Sequence, residues 1–290
     1  MENKDFFMYF YMYELELLLN SKKDDLLTIS FQSDEANTDR PLKEFLKKII
    51  TDELRSLPIS PTINTLRIEN EIYSVEPYLK YNINKVLLPD EISDELKLHL
   101  KNLKNAVYTN PDICFEIQCG DYIYYETIEL KSTKSDSIPG SSIQQVMPFE
   151  WVIFVKHNNT IAEVTTGQYI NSVNSKLQFP DRSPRPQVSF KELHSWNNKY
   201  RHISDNILVY EPDNSIFIKK ELMNDWQDFL SKRWVDILFN NNSTRKNEPW
   251  FNNNLRKFIL IFLDKYDALN DEEKIKLKEK IQMLIKKETD

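Results

Sequence analysis

Residues 111–131 read PDICFEIQCGDYIYYETIELK, and the fold turns on how this stretch is paired. Ile113, Phe115 and Ile117 alternate with Asp112, Cys114 and Glu116, the period of two expected of a strand. Gln118, Cys119, Gly120 and Asp121 supply turn chemistry, and alternation resumes from Tyr122 to Ser132, so the stretch predicts a β-hairpin. Side chains two apart on a strand share a face: Glu129 and Lys131 point one way, Ile128 and Leu130 the other. A turn centred between Cys119 and Gly120 sets Asp112 opposite residue 127, with Glu129 one side-chain repeat further on. With strands ~4.8 Å apart and a rise of ~3.3 Å per residue, the two carboxylates can share a hard divalent cation. The Leu130 carbonyl projects near the same point, and Lys131 lies beside it.

Two acids, one carbonyl and a lysine on adjacent strands suit metal-assisted hydrolysis of a phosphodiester. Mg²⁺ takes oxygen ligands and keeps several waters, so it can bind a phosphate oxygen and present a nucleophile together. A lysine in place of a third carboxylate offsets substrate charge as the transition state forms. The same Glu-x-Lys spacing recurs at Glu2/Lys4, Glu95/Lys97 and Glu272/Lys274. Those pairs lie at a terminus or on helices, where residues two apart do not face each other. The bland alternative for Glu129 and Lys131 is a surface ion pair of small energetic weight.

On these residues the run resembles the PD-(D/E)XK nuclease motif, and the elements around it resemble that fold's strand–strand–helix–strand core. Within the superfamily the chain is similar to type II restriction endonucleases. The resemblance spans about residues 110–166. It implies an α/β fold: a restriction-endonuclease-like mixed sheet flanked by helices, with N- and C-terminal helical additions. It makes Asp112 and Glu129, with Leu130, the metal ligands, Lys131 the catalytic lysine and Mg²⁺ the cofactor. Family members often add a glutamate from a preceding helix, for which Glu69 or Glu71 would serve. Many carry a glutamine on the helix after the lysine strand, where Gln144 and Gln145 stand. The implied activity is cleavage of double-stranded DNA leaving 5′-phosphate ends. A homodimer would match a palindromic target, and a cognate DNA methyltransferase is the expected genetic partner. The alternatives are a repair or recombination nuclease of the same fold and a non-catalytic DNA-binding module.

Counting residues narrows the other classes. The chain has 290 residues, enough for one large domain or two packed ones. Its 38 basic and 45 acidic residues give a net charge of −7, which argues against a globally basic nucleic-acid coat but leaves room for a local basic groove. Three glycines, Gly120, Gly140 and Gly167, cannot write a glycine-rich phosphate loop. His99, His157, His194 and His202 form no zinc-protease motif, and Cys114 and Cys119 cannot build a zinc cage. Apolar runs such as Phe258–Leu263 are too short to span a bilayer. The N-terminus lacks the basic-then-apolar order of a secretion signal, and a reduced cytoplasm is the expected compartment.

Outside the hairpin, helices are expected over Asp5–Asn20, Pro41–Leu57 and Asp90–Val107, with the segment 65–86 of undecided type. Next come a short helix over Ser141–Met147, strands over Glu150–Lys156 and Ile161–Thr166, and a hairpin over Asn206–Lys220. Helices Glu221–Phe239, Pro249–Tyr266 and Asp271–Lys287 close the chain, the last capped by Asn270. This divides the chain into an N-terminal helical region packed on the core (1–108), a catalytic and recognition region (109–220) and a C-terminal helical region (221–290), with a single domain comprising all three as the alternative. Between Gln168 and His202 stand Lys176, Arg182, Arg185, Lys191, Lys199 and Arg201 against only Asp181 and Glu192. The proline-stiffened centre of that segment makes Arg182, Arg185 and Gln187, with Lys134 and Asn197, candidates for DNA contact; a plain solvated loop is the competing reading.

Overall fold

The computed structural model describes residues 2–29, 40–104, 111–138, 146–158, 160–174, 187–225 and 250–285, together with 227, 228, 231, 232, 235 and 239. In chain order the elements are α1 (Asn3–Ser21), α2 (Lys23–Leu27), α3 (Arg40–Glu53), β1 (Thr65–Ile68), β2 (Glu71–Ser74), β3 (Asn82–Leu87) and α4 (Asp94–Lys104). They continue as β4 (Ile113–Cys119), β5 (Tyr122–Thr133), β6 (Ser137–Ile138), β7 (Trp151–His157), β8 (Ala162–Gln168), α5 (Tyr169–Ser172) and β9 (Val173–Asn174). The remainder is β10 (Gln187–Ser189), α6 (Phe190–Tyr200), β11 (Arg201–Ser204), β12 (Ile207–Tyr210), α7 (Ile216–Asn224), α8 (Trp250–Asp267) and α9 (Asp271–Leu284).

The fold is mixed α/β. A five-stranded sheet runs in the order β3-β4-β5-β7-β8, antiparallel throughout except for the parallel pair β5 and β7. A four-stranded sheet, β11-β12-β1-β2, joins β1 to β12 in parallel, and β6-β10-β9 form a small third sheet. The N-terminal region is therefore not only helical: it contributes β3 to the large sheet and β1–β2 to the second. The hairpin expected over Asn206–Lys220 is corrected too. The turn lies earlier, at Asp205 and Asn206, both with positive φ, and Ile216–Asn224 is helical. The expected helix Ser141–Met147 lies largely outside the described residues, as does most of 226–249.

The alternation along β4 and β5 gives the large sheet two apolar faces. Ile113, Phe115, Ile117, Ile128, Leu130, Ile153 and Val155 pack with α1, α3 and the four-stranded sheet in the main core. Helix α1 is apolar over most of its circumference, with Phe7, Met8, Tyr11, Met12 and Leu15 fully buried. Burying a side chain of this size contributes roughly 1.5–3 kcal/mol, so α1 and the stripe Leu42, Leu46, Ile49 and Ile50 of α3 account for much of the packing. On the opposite face, Cys114 of β4 lies under Ile92 and Leu100 of the α4 region. Val152 and Phe154 of β7 lie under α5, α6 and α7. Between those two apolar patches runs β5, whose residues on this face are polar: Thr127, Glu129 and Lys131.

Strand β8 ends the sheet, and an uncovered edge strand is a template for unwanted pairing. Side chains of α1 and α6 occupy it instead. Asn20 bridges the Val164 backbone, donating to its carbonyl (2.8 Å) and accepting from its N–H (3.1 Å). Glu16 accepts the Thr166 N–H (2.5 Å), and Asn197 donates to the Thr166 carbonyl (2.9 Å). Glu16 in turn holds Arg201 at 2.6 Å.

The chain divides into two compact units, 1–177 with 185–229, and 178–184 with 230–290. The N-terminal region 1–108 is packed on the large sheet: β3 pairs with β4, and α3 shares a core with β4 and β5. In the second unit α8 carries Phe258, Phe262 and Tyr266 as a stacked row. Asn270 caps α9 by accepting the Glu273 N–H (3.0 Å), with Asp271, Glu272 and Glu273 in its first turn.

Candidate active site

The hairpin turn is tighter and one residue later than its sequence predicts. Gly120 takes φ +60°, and Cys119 pairs with Tyr122, so Ile113 faces Ile128. Carried on by one residue, this register sets Asp112 across from Glu129 itself, not from residue 127. The Asp112 carboxylate bends onto the neighbouring strand: Oδ2 accepts the Leu130 N–H at 2.9 Å. Its Oδ1 lies 2.7 Å from the Nζ of Lys43, which reaches in from α3. On β5 itself, Glu129 Oε1 lies 2.5 Å from Lys131 Nζ, the same-face pair that the period of two requires. All four side chains are largely withdrawn from water, with exposures of 9% for Lys43, 18% for Asp112, 14% for Glu129 and 19% for Lys131.

Burial pushes the Glu129 carboxyl up to about 7. The Lys131 ammonium opposes that rise, whereas the charges of Asp112 and Glu150 add to it. Burial works against the Lys131 charge as well, but Glu129, Tyr169 and Asp112 outweigh it, and the lysine stands above its ordinary value. Lys131 is thus held as an ammonium, a cation beside the acids and not a free amine. Glu150 itself is buried just ahead of β7, its carboxylate accepting the Met147 N–H at 3.2 Å.

The oxygen donors here are hard ones. No group of three or more His, Cys, Asp and Glu side chains suited to a metal ion gathers among the described residues. The protein's own set is therefore a carboxylate pair with adjoining main-chain oxygen. The N–H and C=O of one strand residue leave by the same strand edge, so the Leu130 carbonyl lies on the edge that Asp112 approaches. Two carboxylates and a carbonyl fit Mg²⁺, which favours oxygen and retains water in its remaining positions.

Among the remaining candidates the structure corrects Glu69, Glu71 and Asn197. Glu69 and Glu71 stand at the β1–β2 turn of the second sheet, Glu69 at φ 54° and Glu71 accepting the Tyr73 hydroxyl. Neither joins Asp112 and Glu129 in a carboxylate cluster. The helix that does reach the site is α3, and it offers a lysine where a glutamate was expected. Asn197 is 3% exposed and donates to Thr165 Oγ1 (2.8 Å) and the Thr166 carbonyl, so it faces the sheet and not a ligand. Lys134 is exposed just beyond β5. Gln187 opens β10, pairing with Asn174 through its backbone. Gln144, Gln145, Arg182 and Arg185 lie outside the described residues. Cys114 and Cys119 are both buried, and no disulfide joins them.

Lys43 and Glu150 were missed by sequence reasoning. The first left a signal: Lys43, Leu46 and Ile50 follow the spacing of one helix face, which puts a charge inside the apolar stripe of α3. Glu150 left none, because its burial depends on the loop ahead of β7. Comparison with protein-family models, with curated proteins and with solved structures gives no match. Among the described residues no helix is long and apolar enough to cross a membrane.

Proposed function

We propose that this chain is a Mg²⁺-dependent endonuclease acting on double-stranded DNA, a type II restriction enzyme with the restriction-endonuclease-like core. One observation carries the reading: Asp112, Glu129 and Lys131 meet on the polar strip of β5, between two apolar patches of a mixed sheet. The order β3-β4-β5-β7, with three antiparallel strands and then a parallel neighbour, supports it as well. Asp112 and Glu129 would hold the metal with the Leu130 carbonyl. Bound there, Mg²⁺ supplies Lewis-acid polarisation of a phosphate oxygen and a more acidic water.

The protein's side chains carry the rest. Lys131, kept as an ammonium by Glu129 and Asp112, orients the water for in-line attack on phosphorus and offsets charge on the equatorial oxygens. Asp112, fixed by the Leu130 N–H, holds its carboxylate in one orientation across the strand gap. Exposed Lys134, just past the end of the same strand, adds positive charge where a backbone phosphate would approach. Sequence readout would fall to the segment around Arg182 and Arg185, and a homodimer would present one site to each DNA strand.

Plasmid incubated with the purified chain should give discrete fragments with Mg²⁺ and none with EDTA. Glu129→Ala and Lys131→Ala should abolish cutting while largely preserving binding, and full activity in either variant would overturn the assignment. A second reading, a non-catalytic DNA-binding module, is favoured by the pairing of each carboxylate with a lysine, which gives each acid a counter-ion from the protein itself. Duplex binding with no Mg²⁺-dependent cleavage of any DNA would select that reading; preference for branched substrates would point instead to a repair nuclease.

A further inference from the structure

We infer that Lys43 is an internal counter-ion seated on the Asp112 carboxylate in the place a divalent cation would take, so that metal enters only together with an anionic phosphodiester. The inference rests on the nuclease reading above and goes beyond it, because it assigns an order of binding and a residue that controls it. Lys43 Nζ is 2.7 Å from Asp112 Oδ1, and the other oxygen is occupied by the Leu130 N–H. Glu129 is likewise occupied by Lys131 at 2.5 Å. Each carboxylate is thus already paired with an ammonium group in a largely buried cluster. A divalent ion arriving alone would have to displace those ammonium groups and leave them without partners, and charges without partners are expensive away from water.

An incoming phosphodiester changes that balance. It brings negative charge to the metal and gives the displaced ammonium new oxygens to pair with. Lysine suits such an exchange because its compact charge sits on a flexible four-carbon stem. The α3 backbone need not move: Leu42 and Leu46 stay anchored in the main core while Nζ travels. A merely structural lysine would behave differently, since removing it would leave metal affinity unchanged or lower.

Mn²⁺ binding to the full chain, followed by electron paramagnetic resonance, separates the two. The probes are Mn²⁺ alone and Mn²⁺ with a short phosphorothioate DNA duplex that resists cleavage. Wild type should bind Mn²⁺ at least about tenfold more tightly with the duplex than without it. Lys43→Met should bind Mn²⁺ about tenfold more tightly than wild type when no DNA is present, and should lose most of the enhancement by duplex. Unchanged or weaker Mn²⁺ binding by Lys43→Met, together with duplex-coupled binding that Asp112→Asn abolishes, overturns this inference and leaves the nuclease reading standing. Absence of Mn²⁺ binding in every arm overturns both. Should circular dichroism show Lys43→Met unfolded, the wild-type comparison decides: equal affinity with and without duplex overturns the inference.

Discussion

Glu129 couples the site to pH. Its carboxyl ionises in the ordinary carboxylate range when the chain is unfolded but only near 7 when folded, chiefly because of burial. A group raised in the native state adds stability below its unfolded value, and that stability is lost as pH climbs through the folded one. Denaturant unfolding at pH 5 and pH 8 should therefore show wild type losing stability relative to Glu129→Gln on the order of 1–3 kcal/mol over that interval; a difference that stays flat would contradict the burial. Asn197→Ala should lose roughly 1–3 kcal/mol by denaturant unfolding, because it strips donors from Thr165 and Thr166. Helical spacing already groups Asn197 with Leu193 and Trp196, but its polar neighbours Asn198 and Lys199 disguise that phase in the sequence. Lys43 was concealed by the opposite bias, since a lysine is normally read as solvated.

At the scale of elements, β8 and α6 are in tight contact. A Cβ added at Gly167 would come within 2.8 Å of Leu193 Cδ1 in a packed core. Gly167→Val should cost about 1–3 kcal/mol by thermal or denaturant unfolding, and Leu193→Ala in the same chain should recover part of it. If the double variant were no more stable than Gly167→Val, the contact would not be the limiting one. The β4–β5 hairpin was legible because alternation and turn residues agree, and the misplaced turn centre moved the partner of Asp112 by two residues. A two-residue error preserves which face each side chain takes, so the convergence of Asp112 and Glu129 survived it. Strands β1 and β2 were not legible in the same way, and β12 was read as the opening strand of a hairpin with the wrong partner. Each is only four residues long, and β1 meets its parallel partner far along the chain.

At the scale of the whole molecule, the apolar clusters of the described residues all fall within the first compact unit, the last contributor being Met223. A chain ending at residue 229 should accordingly keep a single cooperative unfolding transition by calorimetry; a broad, non-cooperative melt would show that the remaining helices are needed to complete the core. The parallel bond between β1 and β12 has a consequence for biosynthesis. While the protein emerges from the ribosome, the β1–β2 hairpin must wait with one edge bare until Ile207–Tyr210 have been made, by which time the long hairpin carrying Glu129 is already out. Assembly of the five-stranded sheet can thus precede closure of the smaller one, and a nascent chain stalled short of residue 207 would expose that bare edge to chaperones or to a neighbouring nascent chain.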